Sequence, residues 1–203
     1  MKNVEWRNRL DGLEQRFQRE KPKSYNRIIN TFRKLVIKKD FEKLSVAEIS
    51  ATAGISRKTF YQYFKDKNEI VEQIVYENII HPMERMRNLS ESFKFPSLTI
   101  ISWLYEQFYK DRAFYSSISS FTGQNSFFEL ILSYTSDIVY EKFSMLNISE
   151  KEKEYSIYFY ASSHTMVLIK WINEGMQIPP KEMASFYEKW TISVISKYTG
   201  DEE

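Results

Sequence analysis

Apolar residues recur three and four positions apart along almost the whole chain, the repeat of a helix with one buried face. Trp6, Leu10, Leu13 and Phe17 form the first such stripe, with Arg7, Arg9, Arg16 and Arg19 off it and Pro22 closing it. Ile28, Phe32, Leu35 and Val36 form the second, over 24–39. Two short patterns fill 45–67. A longer one runs from Lys67 to about Leu89 on Ile70, Val71, Ile74, Val75 and Asn78. Pro82 falls inside it and predicts a kink or break near 79–81, because proline removes a backbone donor and crowds the preceding turn. Further helices are expected over 97–109, 112–121 (ended by Gly123), 125–146, 150–175 and 180–199. Nothing alternates with the period of a strand. The prediction is an all-α fold of about nine or ten helices.

Local signals are densest between Ser45 and Lys67. Ser45 and Glu48 make an S-x-x-E capping box, so a helix should open at Val46. Gly54 can take the left-handed conformation that ends it. Ser56 suits the N-cap of a second helix carrying Arg57, Lys58, Thr59, Tyr61 and Tyr63, with Phe60 and Phe64 on its other face. Asp66 and Glu69 cap a third. Two short helices joined by a glycine turn, the second rich in basic and hydroxyl groups, make a helix-turn-helix.

The resemblance extends beyond that motif. Arg27-Ile28, Ser45-Val46, Ile49, Ala53-Gly54-Ile55-Ser56, Thr59-Phe60-Tyr61, Tyr63-Phe64 and Lys67 follow in the order that resembles the DNA-binding domain of TetR-family transcriptional regulators. The match covers about a quarter of the chain. Asp40 stands where the family usually has Gly, and Asp tolerates a left-handed turn better than most residues. Phe32 stands where the family has a small residue, which predicts altered packing. The resemblance implies an N-terminal three-helix head on a helical body for ligand binding and dimerisation, an Ω-shaped dimer. Boundaries are expected at 1–23 for an extension, 24–70 for the head and 71–203 for the body. From Trp171 to Gly175 and through the prolines beyond, the chain is loosely similar to the subgroup that regulates dihydroxyacetone kinase.

Charge adds to this picture. The net charge is +2, but residues 1–67 hold 17 Lys and Arg against 8 Asp and Glu, net +9, and the rest hold 12 against 19, net −7. A basic third that coincides with a helix-turn-helix points to nucleic acid at one end. The extension is read either as an amphipathic helix, packed on the body or partly disordered, or as a basic arm adding phosphate contacts. No cysteine excludes disulfides and thiolate chemistry. Neither a signal peptide nor a membrane span is expected, so the reading is cytoplasmic with no membrane partner.

Each recognition residue has its chemistry. Arg57 and Lys58 can donate to guanine edges and are the candidates for base readout. The resemblance makes Ser45, Thr59, Tyr61, Tyr63 and Lys67 contacts that position the protein on phosphates, and Ser56 is a further candidate for DNA contact. Ser24 is a further phosphate candidate and a candidate helix cap. Lys67 lies in a first helical turn, where backbone N–H groups also favour an anion.

The last two helices are apolar on more than one side, which demands a second partner. The resemblance implies that they pair with a second copy, and Tyr158, Met166, Ile169, Phe186, Trp190 and Val194 are the candidates for that interface. A cluster of aromatics lines the body. Trp103, Phe108, Tyr115, Phe121, Phe128, Tyr134, Tyr160 and His164 are candidates for a cavity holding a small hydrophobic or amphipathic effector. No cofactor and no metal are expected. Two histidines, no cysteine and five glycines leave no nucleophile pair and no phosphate loop, so no catalytic residue is assigned and no enzyme is expected. The reading is a repressor that binds an operator as a dimer. The alternative is a helical co-regulator acting through protein contact alone.

Overall fold

The computed structural model describes residues 4–89, 98–119, 127–144 and 146–199. Among them every regular element is helical. The helices are α1 (Val4–Gln18), α2 (Lys23–Val36), α3 (Val46–Ala53), α4 (Arg57–Tyr61), α5 (Lys67–Val75), α6 (His81–Leu89), α7 (Leu98–Lys110), α8 (Arg112–Ser119), α9 (Phe127–Phe143), α10 (Glu150–Asn173) and α11 (Pro180–Thr199). A 3₁₀ turn spans Phe41–Lys43, and a π-helical turn, Tyr76–Ile80, joins α5 to α6. Counting that continuous rod once gives ten helices among the described residues.

Local chemistry sets the head. Ser45 accepts from the Glu48 amide at 3.2 Å and caps α3. Only half of the capping box forms, because the Glu48 carboxylate pairs with Lys39 at 2.6 Å instead. Gly54 ends α3 at φ +61°. Ser56 caps α4 through the Thr59 amide at 3.0 Å, and Asp66 caps α5 through the amides of Asn68 and Glu69. Two expectations fail here. Asp40 sits at φ −49°, outside the left-handed region, and caps the 3₁₀ turn through the Glu42 amide. Helix α2 begins at Lys23 without a side-chain cap, and Ser24 turns its hydroxyl to Tyr63 instead.

One hydrophobic core runs without interruption from Leu13 in α1 through the head and into α11. Residues Ile70–Tyr76 are buried on every side, since the rod passes between α1, the head and the body. Pro82 does not end the rod. The π turn immediately before it adds a residue to the spiral, and the helix continues to Leu89. Phe32 is fully buried and meets Phe41 and, across in α8, Phe114 edge-on at 6.2 and 6.4 Å. The large side chain at that position therefore anchors head to body. Arg33 reinforces the junction, bonding Asp111 and lying 4.6 Å over Phe114. Burial lowers the Arg33 pKa below its ordinary value.

Candidate nucleic-acid interface and effector cavity

Arg57, Lys58 and Tyr61 project from α4 into solvent, Tyr61 at 57 % exposure. Phe60 and Phe64 lie on the inner face at 0 and 1 % and hold the short helix down. Arg57 and Lys58 make no ion pair among the described residues, so both cations stay available to an anionic partner. Thr59 shares a 2.9 Å hydrogen bond with the Ser56 hydroxyl. Ser45 is exposed but already caps α3.

Tyr63 and Lys67 are placed differently from the expectation. The Tyr63 hydroxyl meets Ser24 at 3.2 Å and its ring packs edge-on against Tyr25 at 5.9 Å. Lys67 Nζ donates to the carbonyls of Phe41, Glu42 and Leu44 at 2.7, 3.1 and 3.0 Å. Its three donors are therefore used to close the 3₁₀ turn onto the rod. The backbone amides beside it are taken by Asp66. Arg27, noted in the sequence only as part of the family pattern, crosses the turn of the motif. A Cβ on Gly54 would come within 2.5 Å of its Nη2.

The N-terminal helix is docked. Leu13 is fully buried. Arg9 grips the buried Glu72 carboxylate with two bonds, at 2.7 and 3.1 Å. Arg16 bonds Glu69 and Gln73, and Lys21 pairs with Glu77 at 2.9 Å. Glu77 also accepts from the Tyr25 hydroxyl at 2.8 Å, and burial, then that carboxylate, push the phenol pKa well up. Phe17 stacks on His81 at 4.3 Å, so the part-buried His81 ring packs against α1. Two of the extension's arginines are thus spent on the rod instead of on phosphates.

In the body, α7, α9, α10 and the rod enclose a cavity of about 80 Å³. Its lining includes Ile79 and Met83 of the rod, Ile100, Leu104, Tyr105 and Phe108 of α7, Tyr134 and Ile138 of α9, His164, Thr165 and Leu168 of α10, and Tyr187 of α11. Of the expected residues, Phe108, Tyr134 and His164 line it. Tyr115 does not: it is buried among Phe108, Phe114 and Phe127. Trp103 aims its indole at Gln107, whose oxygen accepts at 3.2 Å once the amide is oriented to suit its neighbours. Phe128 packs on the main core, and Tyr160 on Phe143 at 5.2 Å in a separate cluster. Phe121 lies outside the described residues. Among the described residues no Lys, Arg, Asp or Glu lines the cavity. Burial lowers the His164 pKa to about 4, so the ring is neutral at ordinary pH. Thr165 is 1 % exposed and its hydroxyl has no hydrogen-bond partner among the described residues.

An apolar face stays uncovered. Tyr155, Tyr158, Phe159 and Met166 on α10 and Trp190 on α11 are each at least half exposed. Tyr155, Phe159 and Met166 fall on one stripe of α10, with Ser162 between them. Of the expected interface residues, Tyr158, Met166 and Trp190 belong to this face, and Phe186 stacks beside Trp190 at 5.9 Å. Ile169 does not: it is 9 % exposed and turned into the core. The side chain of Val194 lies outside the described residues. No described helix is long and apolar enough to cross a membrane.

Comparison with known proteins agrees with this arrangement. The family model for bacterial regulatory proteins of the tetR family matches residues 28–74, and that for a transcriptional regulator C-terminal region matches 97–191. Among solved structures, the chain is similar to the dihydroxyacetone kinase operon activator DhaS, with 19% identity, TM-score 0.60, and 87% of this chain and 98% of that one covered. It is also similar to the fatty acid degradation regulator FadR from Bacillus halodurans, with 13% identity, TM-score 0.56, and 82% and 93% covered. At these identities the likeness shows the fold. No curated protein matches the sequence. With a capped helix-turn-helix on an all-helical body and a family model matched at each end, the chain belongs to the TetR family of DNA-binding, non-enzymatic transcription regulators.

Proposed function

We propose that the chain binds a pseudo-palindromic operator as a homodimer and represses transcription until a small molecule enters the body. It divides into an extension (1–23), a head (24–70) and a body (71–203), and it acts in the cytoplasm, where the DNA is. The observation that carries the reading is α4 itself. It is a capped helix whose apolar face is sealed and whose Arg57, Lys58 and Tyr61 are offered to solvent on the basic third of the chain. Arg57 and Lys58 read bases, while Ser45, Ser56, Thr59 and Tyr61 position the head on phosphates. Tyr63 and Lys67 reach phosphate only by sharing the bonds they already make.

The uncovered face of α10 and α11 supports the dimer, since an exposed apolar patch of this kind marks an interface. A two-fold dimer supplies two recognition helices for two half-sites. The cavity supports control by an effector. It touches the rod at Ile79 and Met83, and the rod's first turn grips the head through Lys67. Displacing the rod tilts the heads, and a coupling of about 1–3 kcal/mol would change operator affinity roughly 5–150-fold.

Selection of tight-binding duplexes from a random pool tests this. A site with inverted half-sites about one helical turn apart is expected. A folded protein that enriches no sequence would instead favour a co-regulator working by protein contact. Deleting the gene should raise expression from the operator's promoter, and a fall would assign activation.

A further inference from the structure

We propose that the effector taken by this cavity is an uncharged molecule with a short apolar body and one hydroxyl-type group, held by Thr165 and His164. The inference rests on reading the cavity as the effector site and names the chemistry it accepts. Three observations carry it. Among the described residues the lining holds no cation and no carboxylate, so a carboxylate, phosphate or ammonium entering it would lose its hydration with nothing in return from them. The Thr165 hydroxyl is buried at 1 % exposure and unpartnered among the described residues, a costly state that a ligand's polar atom would relieve. His164 adds a ring that makes no hydrogen bond among the described residues and stacks on Tyr187 at 4.4 Å. A neutral imidazole carries one donor and one acceptor, and a threonine hydroxyl does both. A ligand hydroxyl, which also donates and accepts, satisfies the pair.

Size sets a further limit. The space of about 80 Å³ is roughly half the ~150 Å³ that an apolar cavity offers to benzene. A short unbranched chain fits as the helices stand, and a bulkier one has to push Ile79 and Met83 of the rod aside. Binding and the proposed displacement of the heads are then one event.

The test compares n-pentanol, n-pentane, n-pentanoate and n-pentylamine at neutral pH, read by calorimetry and by ligand-observed NMR on the full chain. Pentanol is expected to bind most tightly. Thr165→Val should weaken pentanol about tenfold, the loss of one hydrogen bond to a buried polar group, and leave pentane unchanged. Leu168→Phe, which fills the cavity, should abolish both. Ile138→Phe serves if the first variant does not fold. Pentanoate or pentylamine binding as tightly as pentanol, with Leu168→Phe abolishing it, would overturn the ligand class and leave the cavity as the effector site. Pentane matching pentanol would overturn the roles of Thr165 and His164. Binding of no probe, or binding indifferent to both cavity-filling variants, would remove the cavity reading itself.

Discussion

Arg9→Ala isolates the docking of the N-terminal helix. Glu72 is 4 % exposed, and Arg9 supplies two charge-assisted bonds to its carboxylate. Truncating the arginine leaves a carboxylate in the core, which costs about 3–5 kcal/mol for a fully buried pair. The Arg9 side chain is 22 % exposed, so water reaches the vacated side and the expected loss is about 3 kcal/mol. For a chain of this length that lowers the melting temperature by roughly 6–12 °C. Urea unfolding of the full chain, followed by far-UV circular dichroism, measures it. Arg9→Met with Glu72→Met removes both charges and keeps apolar volume, so it should return to within about 1 kcal/mol of the parent. Arg57→Ala, exposed and unpaired among the described residues, is the control and should change stability by less than about 0.5 kcal/mol. If Arg9→Ala costs no more than that control, the helix is not docked on the rod.

Three further outcomes are expected. Burial holds the His164 pKa at about 4 against an ordinary 6.5, so its neutral form belongs to the fold. That stability is complete above pH 6.5 and is lost as pH falls towards 4, about 3 kcal/mol in all, and a pH series of urea midpoints should flatten over that window in His164→Gln. Tyr158→Glu with Trp190→Glu places charge on the uncovered face and should yield monomers in sedimentation velocity, where an unchanged dimer would move the interface elsewhere. Gly54→Ala forces a left-handed residue with a Cβ against Arg27 and should destabilise the head by roughly 1–2 kcal/mol in thermal melts.

What the sequence showed and hid follows from the range of each interaction. Ser45, Gly54, Ser56 and Asp66 act within three residues of themselves, so their caps and the motif they frame were legible. The packing of the N-terminal helix was legible as one of two readings, but its partners were not. Arg9 and Glu72 lie 63 residues apart, and no local pattern separates a basic stripe bound to carboxylates from one awaiting phosphates. The cavity was half legible for a related reason. Phe108 and Tyr115 sit seven residues apart in adjoining helices and touch at 4.7 Å, yet only Phe108 faces the cavity. Which side of an aromatic-rich helix is wall and which is core is decided by its neighbours. Ile169 fell to the same ambiguity: an apolar residue on a helix with two partners, assigned to the wrong one. Thr165 gave no signal, since its significance lies in a hydrogen bond it lacks. Pro82 announced a distortion at the right place, but nothing local said that a π turn over Tyr76–Ile80 would absorb it.

The function proposed for this chain depends on α4 reading DNA. Fluorescence anisotropy of the selected operator, titrated with the parent and with Arg57→Ala/Lys58→Ala over a range of salt, decides it. Binding should weaken steeply with salt, as phosphate contacts require. In the double variant, specific affinity should fall by at least about tenfold and come down towards that for a scrambled duplex. Equal affinity of parent and variant for the operator, or binding indifferent to salt, would contradict it.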